Sequence, residues 1–121
     1  MKFSWVTIHV KNMEESLKFY NQILGLPETR TIEMPNGGKI VFLGEGDTSV
    51  ELIHLPEEKV STFKGSLSIG FSVPSLETFE SLLKDNGIEV HSGPFQPNPQ
   101  LKFIYVLDPN GVKVQLIEHL N

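Results

Sequence analysis

WVTIHVKNMEESL, residues 5–17, is typical of a strand that leads directly into a helix, and the chain contains this pattern twice. Its counterpart is SIGFSVPSLETFE at residues 68–80, so Trp5 corresponds to Ser68 at an offset of 63 residues. KIVFL at 39–43 matches KFIYV at 102–106 at the same offset, and VELI at 50–53 matches VQLI at 114–117 at an offset of 64. Three matched segments in one order indicate a duplicated supersecondary unit, and two such copies can line a cavity together.

The first strand of each copy alternates between two different faces. In the first copy the aliphatic side carries Val6, Ile8 and Val10, and the mixed side carries Trp5, Thr7 and His9. Because side chains alternate along a strand, the helices must cover the aliphatic sides. The same reasoning places Val50, Leu52, Val114 and Leu116 on the helix side, and Glu51 and Gln115 on the opposite one.

The first helix has a recognisable beginning and end. Asn12 is a favourable N-cap, with Glu15 three residues later as in a capping box. An apolar stripe follows, and Gly25 ends the helix. The stripe consists of Met13, Leu17, Tyr20 and Leu24.

The remaining elements follow from alternation and from turn residues. Strands are predicted near 28–34, 39–44, 48–54, 67–73, 88–91, 101–107 and 112–119, and a second helix runs from the Ser75 cap to Asn86-Gly87. Residues 93–99 are rich in proline and predict an irregular loop. We therefore predict an α+β fold with two β-α-β-β-β modules, 1–55 and 67–121, joined by a linker at 56–66. The single domain forms a concave sheet around a pocket.

Composition excludes several classes of function. The chain has 121 residues, ordinary hydrophobic and charged fractions of 39% and 21%, and no cysteine, which excludes disulfides and thiolate metal sites. A net charge of −5 argues against a nucleic-acid partner, which requires a basic surface. No apolar run approaches the roughly 20 residues that span a bilayer, and no signal-peptide pattern is present. We expect a cytoplasmic protein without membrane contact.

The duplicated plan resembles the glyoxalase / bleomycin-resistance / extradiol-dioxygenase family, also called the vicinal oxygen chelate superfamily, and its lactoylglutathione-lyase-like members. VKNMEESLKFY at 10–20, LGL at 24–26 and DPNG at 108–111 leading into VQLI carry the resemblance. The resemblance implies the glyoxalase-like fold and a homodimer. It does not imply one reaction, because this fold supports lyases, dioxygenases and drug-binding proteins.

In metal-dependent members, the first strand of each module supplies a ligand, usually His, and the last strand supplies another, usually Glu. The resemblance places Trp5, Glu51, Ser68 and Gln115 at these four positions. Only Glu51 retains a family ligand type, since indole nitrogen has no in-plane lone pair and first-row metals require several His, carboxylate or thiolate groups. We therefore predict no metal and no cofactor, and the alternative is a divalent ion held by Glu51, Gln115 and water, with His9 as an optional further ligand.

Two residues are candidates for proton transfer. Glu51 is a carboxylate on a mixed face, and His9 carries an imidazole, the side chain most often used for proton transfer. His9 lies four strand residues from Trp5, roughly 13 Å, which is too far to replace the missing ligand. His54 has the opposite parity to Glu51, and the sequence fixes no geometry for His91 or His119.

Three hypotheses of function follow. The first is a small-molecule binder that works without the family's metal and holds its ligand in the cleft between the modules. Its predicted ligand-binding residues are Trp5, Thr7, His9, Glu51, Ser68 and Gln115. The second is a metal-dependent glyoxalase-like lyase or dioxygenase, or a metal-free enzyme with Glu51 or His9 as base. The third is an interaction module whose pocket is filled by its own side chains.

Overall fold

The computed structural model describes residues 1–120, which form two compact units that meet in sequence between Thr62 and Phe63. This boundary lies inside the segment predicted as a linker. Each unit contains one four-stranded mixed sheet and one helical segment. The α+β fold with tandem β-α-β-β-β modules is therefore confirmed. None of the described helices is long and apolar enough to cross a membrane.

The first unit begins with β1 (Trp5–His9) and α1 (Met13–Leu17), which continues as a π-helical turn over Lys18–Ile23. The strands β2 (Glu28–Glu33), β3 (Lys39–Leu43) and β4 (Ser49–His54) follow. The sheet order is β1-β4-β3-β2. The pairing of β1 with β4 is parallel and the other pairings are antiparallel, so the first and last strands of the unit lie side by side.

The second unit repeats this order. It contains β5 (Ser68–Ser72), α2 (Leu76–Asp85), β6 (Ser92–Asn98), β7 (Leu101–Leu107) and β8 (Lys113–His119). The sheet order is β5-β8-β7-β6, again with a parallel pair between the first and last strands. β6 is therefore an edge strand that pairs only with β7.

The aliphatic strand faces form the core of each unit, as alternation predicts. In β4, Val50 and Leu52 are 4% and 0% exposed, and in β8 Val114 and Leu116 are both fully buried. Val10 is likewise fully buried at the end of β1. Burying one such side chain contributes about 1.5–3 kcal/mol, so these alternating positions set which face of each sheet turns away from water.

The first helix begins at the predicted cap but turns a different side to the core. Asn12 Oδ1 accepts a hydrogen bond of 3.0 Å from the Glu15 amide. Tyr20 is buried as predicted, but Met13, Leu17 and Leu24 are only half-buried, and the other buried positions are Ser16, Phe19 and Ile23. These positions are spaced i, i+3, i+4 and i+7, as on one face of a regular helix, so the buried side lies about one residue before the predicted stripe. The helix ends in a wider turn, in which the Leu24 amide donates to the Phe19 carbonyl, five residues back.

The predicted strand at 88–91 and loop at 93–99 are both wrong. Residues 88–91 form no strand, and the proline-rich segment that follows is β6. Its pairing with β7 shifts register between Ser92 and Phe95 and again between Phe95 and Asn98. Proline is tolerated on edge strands and at bulges, because no ladder amide is required there. An edge position thus permits Pro94 and Pro97 in a strand.

The Asp108-Pro109-Asn110-Gly111 turn is structural, as predicted. Asp108 is 4% exposed, and its Oδ1 accepts hydrogen bonds of 2.8 Å from the amides of Asn110 and Val112. The Gly111 amide also donates to the Asp108 carbonyl. The aspartate therefore satisfies the backbone of the loop that joins β7 to β8.

Candidate functional site

The mixed face of β1 faces outward in the first unit. Trp5, Thr7 and His9 are all exposed. Ile8 and Val10, which point to the opposite face, are buried. The strand pleat alone produces this separation, since neighbouring side chains point to opposite faces. The three residues predicted for this face therefore lie on it, on the side opposite the covered aliphatic residues.

The cross-strand register places four side chains of the first unit in one row. Thr7 is the Cα partner of Glu51, Glu51 of Phe42, and Phe42 of Arg30. Residues that are direct partners across a sheet point to the same face and lie within contact distance. The row therefore runs from a hydroxyl through a carboxylate and a phenyl ring to a guanidinium group.

Glu51 is half-buried and has a partner inside this row. The Thr7 hydroxyl donates a hydrogen bond of 2.5 Å to Glu51 Oε1. A carboxylate accepts several hydrogen bonds, so the second oxygen of Glu51 has further capacity for a ligand. The structure thus brings together two of the predicted site residues, and it orients the carboxylate through the hydroxyl.

Trp5 extends the row into a surface cavity. Its ring is 51% exposed and meets the Phe42 ring edge-on, with 5.2 Å between the centroids. The Arg30 guanidinium carbon lies 6.0 Å from the Phe42 centroid. These residues, with Lys2 and Asp47, line a cavity of about 310 Å³. An exposed indole beside an open cavity is well suited to stacking on an apolar or planar ligand.

His9 has a different partner from Glu51. Its Nδ1 lies 2.7 Å from Glu58 Oε1, in the segment that follows β4. The Cα partner of His9 is Ile53, one step beyond Glu51 on the same face. The two candidate bases therefore lie on one face but are held by different contacts, with Thr7 at one and Glu58 at the other.

The second unit carries the other two predicted residues. Ser68 is exposed and is the Cα partner of Lys113, whereas Gln115 is half-buried and is the partner of Gly70. A Cβ at Gly70 would lie 3.3 Å from Gln115 Oε1, so the glycine leaves the amide uncrowded. Ser68 and Gln115 thus share a face of this sheet but are not direct partners.

Sequence reasoning missed the aromatic residues of both sheets. Phe42 lies in the central row of the first unit, and in the second unit Phe95, Phe103 and Tyr105 form a cluster with centroid separations of 5.5–6.3 Å. The alternation of side chains in β3 and β7 could have assigned Phe42, Phe103 and Tyr105 to the faces opposite the buried aliphatic residues. Phe95 was missed because residues 93–99 were interpreted as an irregular loop.

The other histidines are engaged outside the row that contains Glu51. His54 Nδ1 lies 3.3 Å from the Val10 carbonyl oxygen, and His119 Nε2 lies 3.1 Å from the Ser72 hydroxyl. The His91 backbone amide donates to the Tyr105 carbonyl. No contact connects these side chains to Glu51 in the part of the chain that the structure describes.

The residues at the family's four ligand positions do not fit a first-row metal ion. Trp5 packs its ring against Phe42, and the Glu51 carboxylate already accepts the Thr7 hydroxyl. Ser68 and Gln115 add one neutral hydroxyl and one neutral amide. Over residues 1–120 no group of three or more His, Asp and Glu side chains is placed to hold a metal. Such an ion requires more charged or imidazole donors than these.

Comparison with known proteins identifies the family. The sequence profile of the Glyoxalase/Bleomycin resistance protein/Dioxygenase superfamily matches residues 2–116. A probable lactoylglutathione lyase from Synechocystis is 29% identical over 119 residues, which cover 92% of this chain and 90% of that protein. The chain therefore belongs to the glyoxalase/bleomycin-resistance/dioxygenase superfamily, and lactoylglutathione lyases are among its relatives.

Solved structures share the fold. A glyoxalase family protein from Bacillus cereus matches with a TM-score of 0.85 at 18% identity, over all of this chain and 95% of that one. An antibiotic-binding protein from Streptomyces sp. CB03234 matches with a TM-score of 0.75 at 20% identity, over 98% and 96% of the two chains. At these identities the likeness establishes the fold and not the ligand.

Proposed function

We propose that this protein binds a small aromatic or amphipathic molecule and works without the metal ion of its metal-dependent relatives. The observation that carries the proposal is Trp5, which is 51% exposed and borders a cavity. An indole cannot coordinate a cation through its nitrogen, but it stacks well. If Trp5 occupies the ligand position that the resemblance assigns to it, this position supplies apolar contact in place of a metal ligand.

The surroundings of Trp5 support the same function. Phe42 meets the indole edge-on, so the two rings present an aromatic surface whose geometry is fixed before a ligand arrives. A favourable aromatic pair contributes about 0.5–1.5 kcal/mol beyond the area it buries. Glu51, held by Thr7, supplies a hydrogen-bond acceptor next to Phe42 in the row. In the second unit, we propose that Ser68 and Gln115 are polar ligand-contacting residues on their own sheet face.

Thermal-shift measurements after dialysis against EDTA test this function. We expect aromatic compounds to raise the melting temperature of the wild type and to lose this effect in Trp5→Ala. Phe63→Ala, which truncates another exposed aromatic residue, is the matched control and should retain the effect. Stabilisation by Ni²⁺, Zn²⁺, Mn²⁺ or Fe²⁺ alone would reject the proposal. Mass spectrometry of a ligand that co-purifies would identify the natural compound.

A metal-dependent lyase or dioxygenase is the second candidate, because a relative with 29% identity is named as a probable lactoylglutathione lyase. This function requires an ion at Glu51 despite the donor set described above. Metal analysis of protein purified without chelators should find no stoichiometric ion if the first proposal is correct. Near-stoichiometric metal that disappears in Glu51→Ala, together with turnover of lactoylglutathione, would establish the second candidate instead.

A metal-free enzyme would use Glu51 or His9 as its general base. The two groups have separate partners, Thr7 and Glu58, so their variants can be interpreted independently. Once a substrate is known, Glu51→Gln and His9→Gln should identify which group moves a proton. Unchanged turnover in both variants excludes this form of catalysis.

Two further predictions from the sequence remain proposals. We propose that the protein forms a homodimer, which sedimentation equilibrium would test through a mass twice that of the 13.6 kDa chain. We also propose a cytoplasmic location, which fractionation of the source cells would test. A monomer at all concentrations, or recovery in the secreted fraction, would reject the corresponding proposal.

A further inference from the structure

The cavity beside Trp5 combines an aromatic wall with a cation. Trp5 and Phe42 supply the rings, and Arg30, in β2, completes the row with its guanidinium carbon 6.0 Å from the Phe42 centroid. The arginine is exposed, and Phe42 beneath it is only 8% exposed. The guanidinium group therefore lies at the outer limit of a cation–π contact with Phe42, and the exposed side chain borders the cavity.

The charge of Arg30 is uncompensated within the described residues. Over residues 1–120 the Arg30 side chain contacts the Phe42 ring and forms no hydrogen bond or ion pair with a carboxylate. A guanidinium group carries five N–H donors in one plane, and a contact with a ring does not use them. Arg30 therefore offers a planar pair of donors to a molecule in the cavity.

The rim of the cavity contains one carboxylate, but it faces a different cation. Asp47 pairs with Lys2 at 4.0 Å, and both side chains are strongly exposed. Within residues 1–120 no carboxylate pairs with the guanidinium group of Arg30. A cation on the wall of a cavity, without a paired counter-charge among these residues, favours an anionic ligand at this position against the overall charge of −5.

We propose that this cavity binds a small planar aromatic compound that carries an oxyanion, a carboxylate or a phosphate. Its ring packs against Trp5 and Phe42, and its oxyanion accepts two hydrogen bonds from Arg30, a geometry for which guanidinium groups are suited. The inference rests on the proposed small-molecule binding and adds the ligand's charge. A volume of about 310 Å³ suits one or two rings, since ligand pockets start near roughly 300 Å³.

NMR titration provides a direct test, because Trp5 is the one tryptophan of the chain and gives a single indole N–H signal. The probes are benzoate and phenyl phosphate, with benzyl alcohol as a neutral analogue and inorganic phosphate as an anion without a ring. Both aromatic anions should shift the indole signal and bind about tenfold more tightly than benzyl alcohol. One guanidinium–oxyanion pair is expected to contribute about that factor.

Variants of Arg30 test whether this residue causes the selectivity for anionic ligands. In Arg30→Gln, benzoate should bind about tenfold more weakly while benzyl alcohol is unaffected, and Arg30→Lys should recover part of the loss. Lys59→Gln makes the same charge change in the same unit at an exposed residue outside the cavity, and should bind like the wild type. Asp47→Asn removes the rim carboxylate and should tighten anion binding two- to threefold.

The outcomes separate this inference from the function on which it rests. Equal affinity for benzoate and benzyl alcohol, unchanged in Arg30→Gln, would overturn the selectivity for anions and leave the aromatic binder intact. Inorganic phosphate that binds as tightly as phenyl phosphate would overturn the role of the rings. An indole signal that no probe shifts would overturn both proposals. Dispersed spectra of Arg30→Gln and Arg30→Lys verify that the unit remains folded in the variants that lose binding.

Discussion

The hydroxyl of Thr7 lies 2.5 Å from Oε1 of Glu51, across the parallel strands β1 and β4. The pairing makes the two residues direct Cα partners, so the hydrogen bond follows from the register of the sheet. It fixes the orientation of the one carboxylate that remains at a family ligand position. Thr7 is thus a positioning residue for Glu51.

Replacing Thr7 by Val should destabilise the protein by about 1 kcal/mol, because the carboxylate loses a donor while the strand keeps a β-branched residue of similar shape. Urea denaturation of both proteins measures this difference. Glu51→Gln is the matched control, since its amide oxygen can still accept the Thr7 hydroxyl. Equal stability of Thr7→Val and the wild type would show that the hydrogen bond contributes nothing in solution.

The two helix caps provide a paired prediction. Asn12 Oδ1 accepts from the Glu15 amide, and the Ser75 hydroxyl accepts from the Thr78 amide at 3.3 Å. Each alanine substitution should cost about 1 kcal/mol, because it leaves an amide of the first turn without a side-chain partner. Thermal denaturation measures the loss. Aspartate at either position preserves the acceptor and should restore stability, and its failure to do so would contradict the capping role.

The loop after β7 should be far more sensitive. Asp108→Ala removes an acceptor that serves the amides of Asn110 and Val112 in a buried position, so we expect a loss of about 2–4 kcal/mol. Asp108→Asn keeps an oxygen acceptor and should lose less. Chemical denaturation of the three proteins gives the ranking. A similar loss in both variants would indicate that the negative charge, and not the acceptor, stabilises the loop.

Divalent ions should leave the melting temperature unchanged. The four residues that the resemblance aligns with family ligands are Trp5, Glu51, Ser68 and Gln115, which provide one carboxylate among neutral groups. Any ion that binds the folded protein with a dissociation constant one hundredfold below its concentration stabilises it by about 2.7 kcal/mol, an effect that calorimetry resolves easily. Absence of a shift with Ni²⁺ or Zn²⁺ is the expected result. A shift that Glu51→Ala abolishes would refute it.

Much of the fold could be predicted because it depends on local periodicity. The alternation around Ile8 and Val10 assigned the faces of β1, and the spacing of Asn12 and Glu15 located the start of the helix. The interpretation failed where neighbours override local preference. Pro94 and Pro97 are compatible with a strand only because β6 is an edge, which no local pattern reveals. The first helix likewise buries Ser16, Phe19 and Ile23 beside Tyr20, because packing against the sheet selects one of two neighbouring apolar stripes.

The candidate site was likewise only partly predictable from the sequence. Alternation along the strands is enough to place Trp5, Thr7 and Glu51 on the uncovered faces, because the pleat sends every second side chain to the same side. The contacts of Thr7 with Glu51, of Phe42 with Trp5 and of Arg30 with Phe42 could not be predicted in this way. Those contacts depend on which strands are neighbours in the sheet and on the register in which they pair. Hydrogen bonds between strands fix the order and the register, and the spacing of residues along the chain does not contain this information.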